Sequence, residues 1–548
     1  MPASFNLIDQ PWIPVEWNDG RTSEVSLQEL FERSTDISEI HGDLPTQSFA
    51  LLRLSLAILY SLDETPTSFA EWKKWWTQPA LPFKALNEYL NEHRDRFDLL
   101  HPATPFYQVA DLRTSKNDVK NLSGFISDVP TGNPQFAMRS SGNLEELSFA
   151  EAARWLVSCQ AWDFSGIKSG AVGDPRAKGG KGYPIGVGWL GNLGALYVDG
   201  RDLHETLLLN LLPLGEYAKT SEGDGPVWER EPQTAHPLDA KNQSQPTGVL
   251  DLYTWQSRRI RLHHDGEKVT GVLISQGDRL TGHNRHDVEP MTAWRRSTPQ
   301  EKALKLPQVF MPQTHDPSRA LWRGMATLLP STAGRSTNKT ERQNPKLTAW
   351  VSDLVRRNVV PNRSAVHLRA VGIEYGVKSA TVAEVFADSV TTAAAVFDTD
   401  HPELAVAIAD SIDDADKAVF ALRNLASNLR QAAGDRDGTD GARVNAGSDA
   451  YAALDPEFRR WLSLLGPDTD IDTARAAWQT RVYQIISGIG AHLVDSAGAV
   501  AWRGRDLDPG ADNPRTMNSP LAEIYFRRRL AKDLPLSLPT NQTEKAPT

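Results

Sequence analysis

The chain has 548 residues, a formal net charge of -10 at pH 7 and a single cysteine, Cys159. A chain of this length divides into two or three domains rather than folding around one core. One cysteine excludes an intramolecular disulfide and a cysteine-based zinc site, and the negative net charge argues against a general nucleic-acid binder. No signal-peptide pattern opens the chain, and no apolar run reaches the length of a membrane span. We therefore expect a cytoplasmic protein that contacts no membrane.

The first 373 residues predict a mixture of helices and strands. Apolar residues over 5–15 predict an edge strand, because two prolines stand among them. Apolar residues recur at helical spacing in five segments, 24–33, 45–62, 69–76, 147–160 and 319–329. The apolar stretch 203–214 fits a helix or a strand. Alternating residues on both sides of Asp265-Gly266 predict a β-hairpin over 259–274.

From about residue 376 the chain changes in character, because alanine becomes frequent and strand patterns disappear. We predict helices over 379–397, 402–433, 446–465, 472–497 and 520–532, of which the last four form a four-helix bundle. The fold class is therefore α+β. A large mixed α/β N-terminal domain over 1–373 precedes an all-α C-terminal four-helix bundle over 374–534, and 535–548 form a disordered tail.

The stretch 161–194 combines glycines with basic side chains. Ten glycines fall between Gly166 and Gly194, and Lys168 and Arg176 lie among the first of them. Glycine lets backbone N–H groups approach a ligand closely, and neighbouring cations attract phosphate. The stretch fits a phosphate site or, on composition alone, a solvated surface loop.

Charge is polarised along the chain. Residues 319–369 carry ten basic side chains and two acids, whereas 373–470 carry 18 acids and 8 bases. The basic segment favours an anionic partner, and the acidic segment favours protein contacts. A strand after Trp255 would place Arg259 and Arg261 on one exposed face, where they would contact phosphates or a neighbouring subunit, or serve the structure alone.

Three His–Asp pairs leave an enzymatic alternative open. They are His264-Asp265, His286-Asp287 and His315-Asp316. A metal-dependent phosphohydrolase requires several such ligands to converge. The pairs fall in predicted loops and a turn without helical ligand spacing. We therefore expect no metal and no cofactor, and keep this enzyme as an alternative.

Five sequence landmarks occur in an order known from one family. They are FNLIDQPWIPV from residue 5, HPATPFYQV from 101, SGIKSG at 165–170, LYTWQSRRI from 252 and YGVKSATVAE from 375. In these motifs, and over nearly its whole length, the chain resembles the CasA family. CasA is the large subunit of Cascade, the type I-E CRISPR surveillance complex.

The resemblance implies a non-catalytic subunit that recognises the protospacer-adjacent motif (PAM) in double-stranded target DNA. Such a subunit promotes duplex opening for guide RNA pairing and recruits the helicase-nuclease. The implied partners are the target duplex, the Cascade subunits that contain the guide RNA, and that helicase-nuclease. A purely structural ribonucleoprotein subunit, which never touches target DNA, is a further alternative.

The resemblance also implies four sets of site residues. A loop that approaches the PAM backbone corresponds to Phe164, Ser165, Gly166 and Lys168. The minor-groove contact, a lysine in the family, falls at Gln276 or Arg279. A strand-separating wedge corresponds to Lys378, Ser379 and Ala380. The loop toward the guide complex and the DNA corresponds to 124–143, with an apolar contact at Phe136, Ala137 and Met138.

Overall fold

The structure, a computed structural model, describes residues 4–127, 144–238, 246–330, 341–435, 437–507 and 516–537. Its helices are α1 (Leu27–Glu32), α2 (Pro45–Tyr60), α3 (Phe69–Trp76), α4 (Phe83–Glu92), α5 (Phe149–Trp162), α6 (Leu203–Asn210), α7 (Val249–Tyr253), α8 (Thr298–Leu304), α9 (Lys346–Arg356), α10 (Glu403–Ala433), α11 (Thr439–Ser463), α12 (Ile471–Asp495), α13 (Gly498–Arg503) and α14 (Ser519–Asp533).

Most of the strands are short, whereas β12 and β13 have 11 and 12 residues. They are β1 (Ile13–Trp17), β2 (Thr22–Val25), β3 (Ile37–Ile40), β4 (Lys168–Ser169), β5 (Lys181–Gly182), β6 (Ala195–Asp199), β7 (Arg258–His264), β8 (Val269–Gln276), β9 (Trp294–Arg296), β10 (Phe310–Pro312), β11 (Arg342–Gln343), β12 (Ala365–Tyr375), β13 (Val382–Ala393), β14 (Arg505–Asp506) and β15 (Thr516–Met517). The three-stranded sheets have the orders β2-β1-β3, β10-β9-β11 and β13-β12-β6, and the hairpin β7-β8 stands apart from them.

The chain divides into two compact units. The first unit comprises Met1–Leu321, Ser336–Val351 and Val366–Ser389, and the second comprises Trp322–Arg335, Ser352–Ala365 and Val390–Thr548. The second unit thus includes two segments that precede residue 373, and the first includes most of the β12–β13 hairpin. In the described part of the chain, no helix has the length and the hydrophobicity needed to cross a membrane.

Helix α2 lies at the centre of the first unit. All its residues except Pro45 and Ser48 are buried, as expected for a helix that is apolar on every side. The one buried cation on it, Arg53, donates to both carboxylate oxygens of Glu289 at 2.7 and 2.9 Å. The indole of Trp189 donates to the same carboxylate at 2.7 Å. The buried charges are therefore paired and hydrogen-bonded, which is the condition for tolerating them in a core.

The second unit is built on four long helices. Helix α10 packs against α11, α12 and α14, and small residues on α10 let its neighbours approach closely. An aromatic cluster on the helices joins Phe458, Trp461 and Trp478, with ring centroids 5.1 to 5.7 Å apart. The predicted fold class, mixed α/β followed by a helical bundle, is confirmed.

One predicted helix is wrong. Residues 379–397 contain strand β13, which pairs with β12, rather than an entry helix. Phe386, Val390 and Thr392 are buried along β13, whereas residues 387, 389 and 391 are exposed, and this alternation is the period of a strand. The alanines favour a helix locally, but pairing with β12 satisfies the backbone and buries the alternate side chains.

The other predicted elements agree with the structure to different degrees. The helices at 45–62 and 69–76 and the hairpin at 259–274 are confirmed, and the stretch 203–214 forms a helix, α6. The helix expected at 319–329 is a 3-10 helix over Leu321–Thr327. The strand expected over 5–15 begins only at Ile13, where β1 pairs with β2 and β3.

Candidate nucleic-acid interface

The loop after α5 is held by one buried arginine. Arg258, on β7, donates from Nε to Asp163 Oδ2 at 2.5 Å and from Nη2 to the carbonyl oxygens of Phe164 and Gly186 at 3.0 and 2.9 Å. The fixed fork of a guanidinium can bind several acceptors at once. Arg258 therefore sets the path of the chain where it leaves α5.

Lys168 belongs to the same buried cluster. Its ammonium lies 2.7 Å from Asp163 Oδ2 and 3.9 Å from the centre of the Phe164 ring, and its side chain is 7% exposed. The sequence predicts a DNA contact for Lys168. In this geometry its charge is bound within the loop, so that Lys168 positions Phe164 rather than presenting an ammonium to a ligand.

Three distant segments meet at this loop. The backbone N–H of Ser165 donates to Ser379 O at 2.7 Å, and the Gln276 side-chain amide donates to Gly166 O at 2.9 Å. The loop 164–168, the exit of β8 at 276–279 and the β12–β13 turn at 376–381 thus form one surface, called here the three-segment site. All three segments lie in the first unit.

The two candidates for the minor-groove contact differ in exposure. Gln276 is 2% exposed, and it also donates to Gly182 O at 3.3 Å. Arg279, three residues later, is exposed and makes no hydrogen bond or ion pair with any residue that the structure describes. Gln276 therefore holds the loop 164–168 through its hydrogen bond to Gly166, whereas the guanidinium of Arg279 is accessible to a ligand.

The turn between β12 and β13 presents an apolar side chain to solvent. Lys378 and Ser379 have φ of 57° and 53°, and Ala380 N–H donates to Val377 O at 3.3 Å. This is the geometry of a type I′ hairpin turn, in which Asn-Gly is preferred. Val377 is 86% exposed. The sequence prediction named residues 378–380 and missed Val377, although an apolar residue next to a glycine before a turn is a signal for it.

Two of the three glycines in Gly186-x-Gly188-x-x-Gly191 serve packing. A side chain at Gly188 would collide with the backbone of Ala161 on α5, and one at Gly191 would collide with the Tyr375 hydroxyl. That hydroxyl donates to Trp162 O at 2.6 Å. Gly188 and Gly191 therefore let the chain lie against α5 and β12. Of the stretch 161–194, only residues 164–168 belong to the three-segment site.

The expectation of an exposed Arg259–Arg261 pair is wrong for Arg259. Arg259 is 1% exposed, and it donates to Asp278 Oδ2 and to Thr234 O, both at 2.8 Å. Burial with a carboxylate partner gives it a structural role. Arg261, two residues later on the same strand, is half-buried.

Most of the basic segment 319–369 is neutralised locally. Ion pairs with aspartates or glutamates engage Arg323, Lys346, Arg356, Arg357, Arg363 and Arg369. Arg319 and Arg342 form no ion pair with a described residue, and together with Arg295, which precedes the segment, they are called here the arginine patch. Arg342 lies directly opposite Arg295 between β11 and β9. Burial, and then the positive charges of Arg295 and Arg319, lower the pKa of Arg342.

The His–Asp pairs do not assemble a metal centre in the described ranges. The only group there with three ligand atoms within 4.8 Å of one another is Glu16, Glu39 and His41. His315 is half-buried and stacks on Phe386, its Nε2 lies 3.1 Å from Ala195 O, and desolvation lowers its pKa. The predicted contact residues Phe136, Ala137 and Met138 lie outside the described residues.

Comparisons with known proteins agree with one another. The family model for the CRISPR-associated protein Cse1 matches residues 6–489. The CRISPR-associated protein CasA/Cse1 of Thermus thermophilus is 32% identical over 336 residues, which are 60% of this chain and 61% of that relative. The alignment thus spans less than two thirds of that curated relative.

Solved structures extend the likeness over the whole chain. The crystal structure of Thermobifida fusca Cse1 is 45% identical with a TM-score of 0.90, covering 98% of this chain and 99% of that chain. A chain of a CRISPR RNA-guided surveillance complex shares the fold, with a TM-score of 0.62 at 19% identity, covering 90% of this chain and 100% of that chain. The fold is therefore that of a CRISPR-associated protein. The chain belongs to the Cse1 family, whose members are also named CasA.

Proposed function

We propose that this chain is a non-catalytic, cytoplasmic subunit of a type I-E CRISPR surveillance complex. It recognises the PAM in double-stranded target DNA, promotes duplex opening so that guide RNA can pair, and recruits the helicase-nuclease. Membership in the Cse1 family supports the proposal, as does the shared fold with a chain of an RNA-guided surveillance complex. In RNA-guided complexes the protein recognises a short DNA motif, and base pairing with the guide RNA recognises the rest of the target sequence.

The observation that carries the proposal is the convergence of the three-segment site. Segments more than 90 residues apart are joined through Ser165 N–H to Ser379 O and through the Gln276 amide to Gly166 O. The site brings together the backbone of the loop 164–168, the exposed guanidinium of Arg279 and the exposed apolar side chain of Val377. Proteins that bind the minor groove use basic side chains to contact base edges and apolar side chains to unstack bases.

Each part has a distinct role in the proposal. Arg279 enters the minor groove, because it is the exposed cation at the β8 exit, whereas Gln276 is committed to the loop. Val377 and Lys378 form the tip that separates the strands, since an apolar wedge unstacks a base step and a neighbouring cation holds the phosphate. Lys168 and Arg258 hold the loop in shape and stay buried.

Reconstitution of the complex with and without this chain tests the proposal. Binding to a duplex that carries a PAM is compared with binding to a duplex with a scrambled motif. We expect Arg279→Ala to weaken PAM-duplex binding by about 10-fold, since one good base contact contributes about 1–3 kcal/mol.

The matched control is Arg528→Ala, which removes an exposed arginine from α14 in the second unit. It should leave DNA binding unchanged. Equal affinity of the complex for the PAM duplex with and without the chain would reject the proposal and favour the purely structural subunit. Crosslinking of duplex DNA to residues 164–168 or 275–279 gives an independent readout of contact.

A further inference from the structure

A loop crosses one face of the β7–β8 hairpin and is fixed at both edges. Residues 109–120 are called here the arch. Val109 N–H donates to Ile260 O on β7 at 2.9 Å, and Lys120 N–H donates to Val272 O on β8 at 3.0 Å. Between these ends, Arg113 O accepts from Val172 N–H at 2.9 Å. Because the arch is anchored on opposite edges, its middle part spans the face of the hairpin.

A cavity of about 440 Å³ lies between the arch and the hairpin. Arg261 and His263 line it from β7, and as residues i and i+2 of a strand they share one face. Leu273 is the cross-strand partner of Arg261 and forms the apolar floor together with Leu112. The volume is in the range of small-molecule sites, about 300–1,000 Å³.

The cavity offers more unused donors than acceptors. Arg113 is exposed and has no ion-pair partner in the part of the chain that the structure describes. Arg261 also has none there, and its guanidinium donates one hydrogen bond, from Nη1 to Leu112 O at 3.3 Å. The Nε2 atom of His263 is buried without a hydrogen-bond partner there. By contrast, Asp118 is neutralised by Lys120 and accepts from the Thr114 hydroxyl. Hydrogen bonds from Lys120 and Thr114 lower the pKa of Asp118 to about 2.

We propose that this cavity binds one nucleotide unit, with its phosphate on Arg113 and Arg261 and its base on the Leu112–Leu273 floor. Guanidinium groups bind phosphate through paired N–H donors. Bases stack on apolar surface or on guanidinium planes, and their edges take hydrogen bonds from groups such as the His263 imidazole.

The remaining acceptor makes the site selective for a nucleoside phosphate over phosphate alone. Asp111 lines the cavity as an exposed carboxylate. A carboxylate repels a bare phosphate, but it accepts hydrogen bonds from ribose hydroxyls or from an exocyclic amine. The site is separate from the three-segment site, and the proposal does not depend on PAM recognition.

Titration of the full chain with AMP, with inorganic phosphate and with an eight-nucleotide single-stranded RNA tests the proposal. Calorimetry follows the first two probes, and fluorescence anisotropy follows a labelled RNA and a DNA of the same sequence. We expect AMP to bind at least 10-fold more tightly than phosphate. Tighter binding of the RNA than of AMP would identify a strand, and equal binding would identify a free nucleotide.

The variant Arg113→Ala/Arg261→Gln should weaken AMP binding by at least 10-fold. Its matched control is Lys116→Ala/Lys302→Ala, which removes two exposed positive charges that do not line the cavity. Thermal unfolding of each variant confirms that the fold is kept. No AMP or RNA binding by the parent chain, phosphate binding as tight as AMP binding, or an equal loss in the control variant would each overturn the proposal.

Discussion

Single side chains decide how the three-segment site is shaped. Asp163 accepts a hydrogen bond from Arg258 and forms an ion pair with Lys168. Lys168, for which the sequence analysis predicts a DNA contact, is therefore used inside the protein together with Arg258. A buried carboxylate without these partners would be strongly unfavourable. At the exit of β8, the cation left for a ligand is Arg279, which follows the buried Gln276 by three residues.

The turn residues Lys378 and Ser379 are both in the left-handed region without being glycine or asparagine. This conformation costs roughly 1–2 kcal/mol per ordinary residue. We predict that Ser379→Gly raises the free energy of unfolding by about 0.5–1 kcal/mol, since relief of strain exceeds the entropic cost of glycine. Chemical denaturation of the full chain, with and without Ser379→Gly, measures this change in the free energy of unfolding.

Ala380 provides the control for that change. Its φ is -91°, which any residue adopts, so Ala380→Gly should lower the stability by a few tenths of a kcal/mol or more. A stabilising Ala380→Gly, or a destabilising Ser379→Gly, would contradict the assignment of strain to the turn. Lower duplex opening by the more stable Ser379→Gly complex would show that the strained turn serves function.

At the scale of elements, helix α12 shows how closely the bundle is packed. A Cβ added at Gly490 would collide with the Phe526 ring on α14, whereas one added at Gly488 meets nothing within 4 Å. Both glycines lie in the interior of the same helix. The two positions therefore separate helix propensity from packing.

We predict opposite effects for alanine at these two positions. Gly488→Ala should stabilise the protein by about 0.5–1 kcal/mol, because alanine is the better helix former. Gly490→Ala should destabilise it by about 1–3 kcal/mol, because overpacking against Phe526 outweighs the same gain. Urea denaturation followed by helical circular dichroism measures both. Equal stabilisation by both substitutions would contradict the close α12–α14 contact.

For the whole molecule, the distribution of charge matters more than its sum. The net charge is -10, yet the arginine patch of Arg295, Arg319 and Arg342 is left without carboxylate partners in the described ranges. Like charges facing each other across a β-ladder destabilise it, and a bound polyanion removes that cost. In the described part of the segment 319–369, Arg319 and Arg342 are therefore the basic side chains left available to an anionic partner, together with Arg295 outside it.

We predict that Arg295→Gln/Arg319→Gln/Arg342→Gln lowers the salt dependence of duplex binding by the reconstituted complex. The slope of log K against log salt should fall by about 2–3, since each lost phosphate contact removes about 0.9. Arg356→Gln is the control, because Arg356 is already paired with Asp353 and Asp400. An unchanged slope in the triple variant would remove the arginine patch from the interface.

The sequence by itself determined the elements whose signals are local. The spacing of apolar residues was enough for α2 and α3, the frequent alanines indicated α10, and the Asp-Gly turn was enough for the β7–β8 hairpin. Its ordered motifs also identified the family, which the family model and a 45% identical structure confirm. These features depend on neighbours within a few residues, which the sequence displays.

Only the tertiary structure decided which polar groups are exposed. The sequence does not distinguish Arg259 from Arg279. In the structure Arg259 is buried in an ion pair with Asp278, whereas Arg279 has no ion-pair partner among the described residues. The sequence of β13 predicts a helix, and only its pairing with β12 makes this segment a strand. The group that pairs with a charge or with a backbone N–H or C=O comes from another part of the chain. Whether that group is present decides whether a residue is buried, and a buried residue is not available to a ligand.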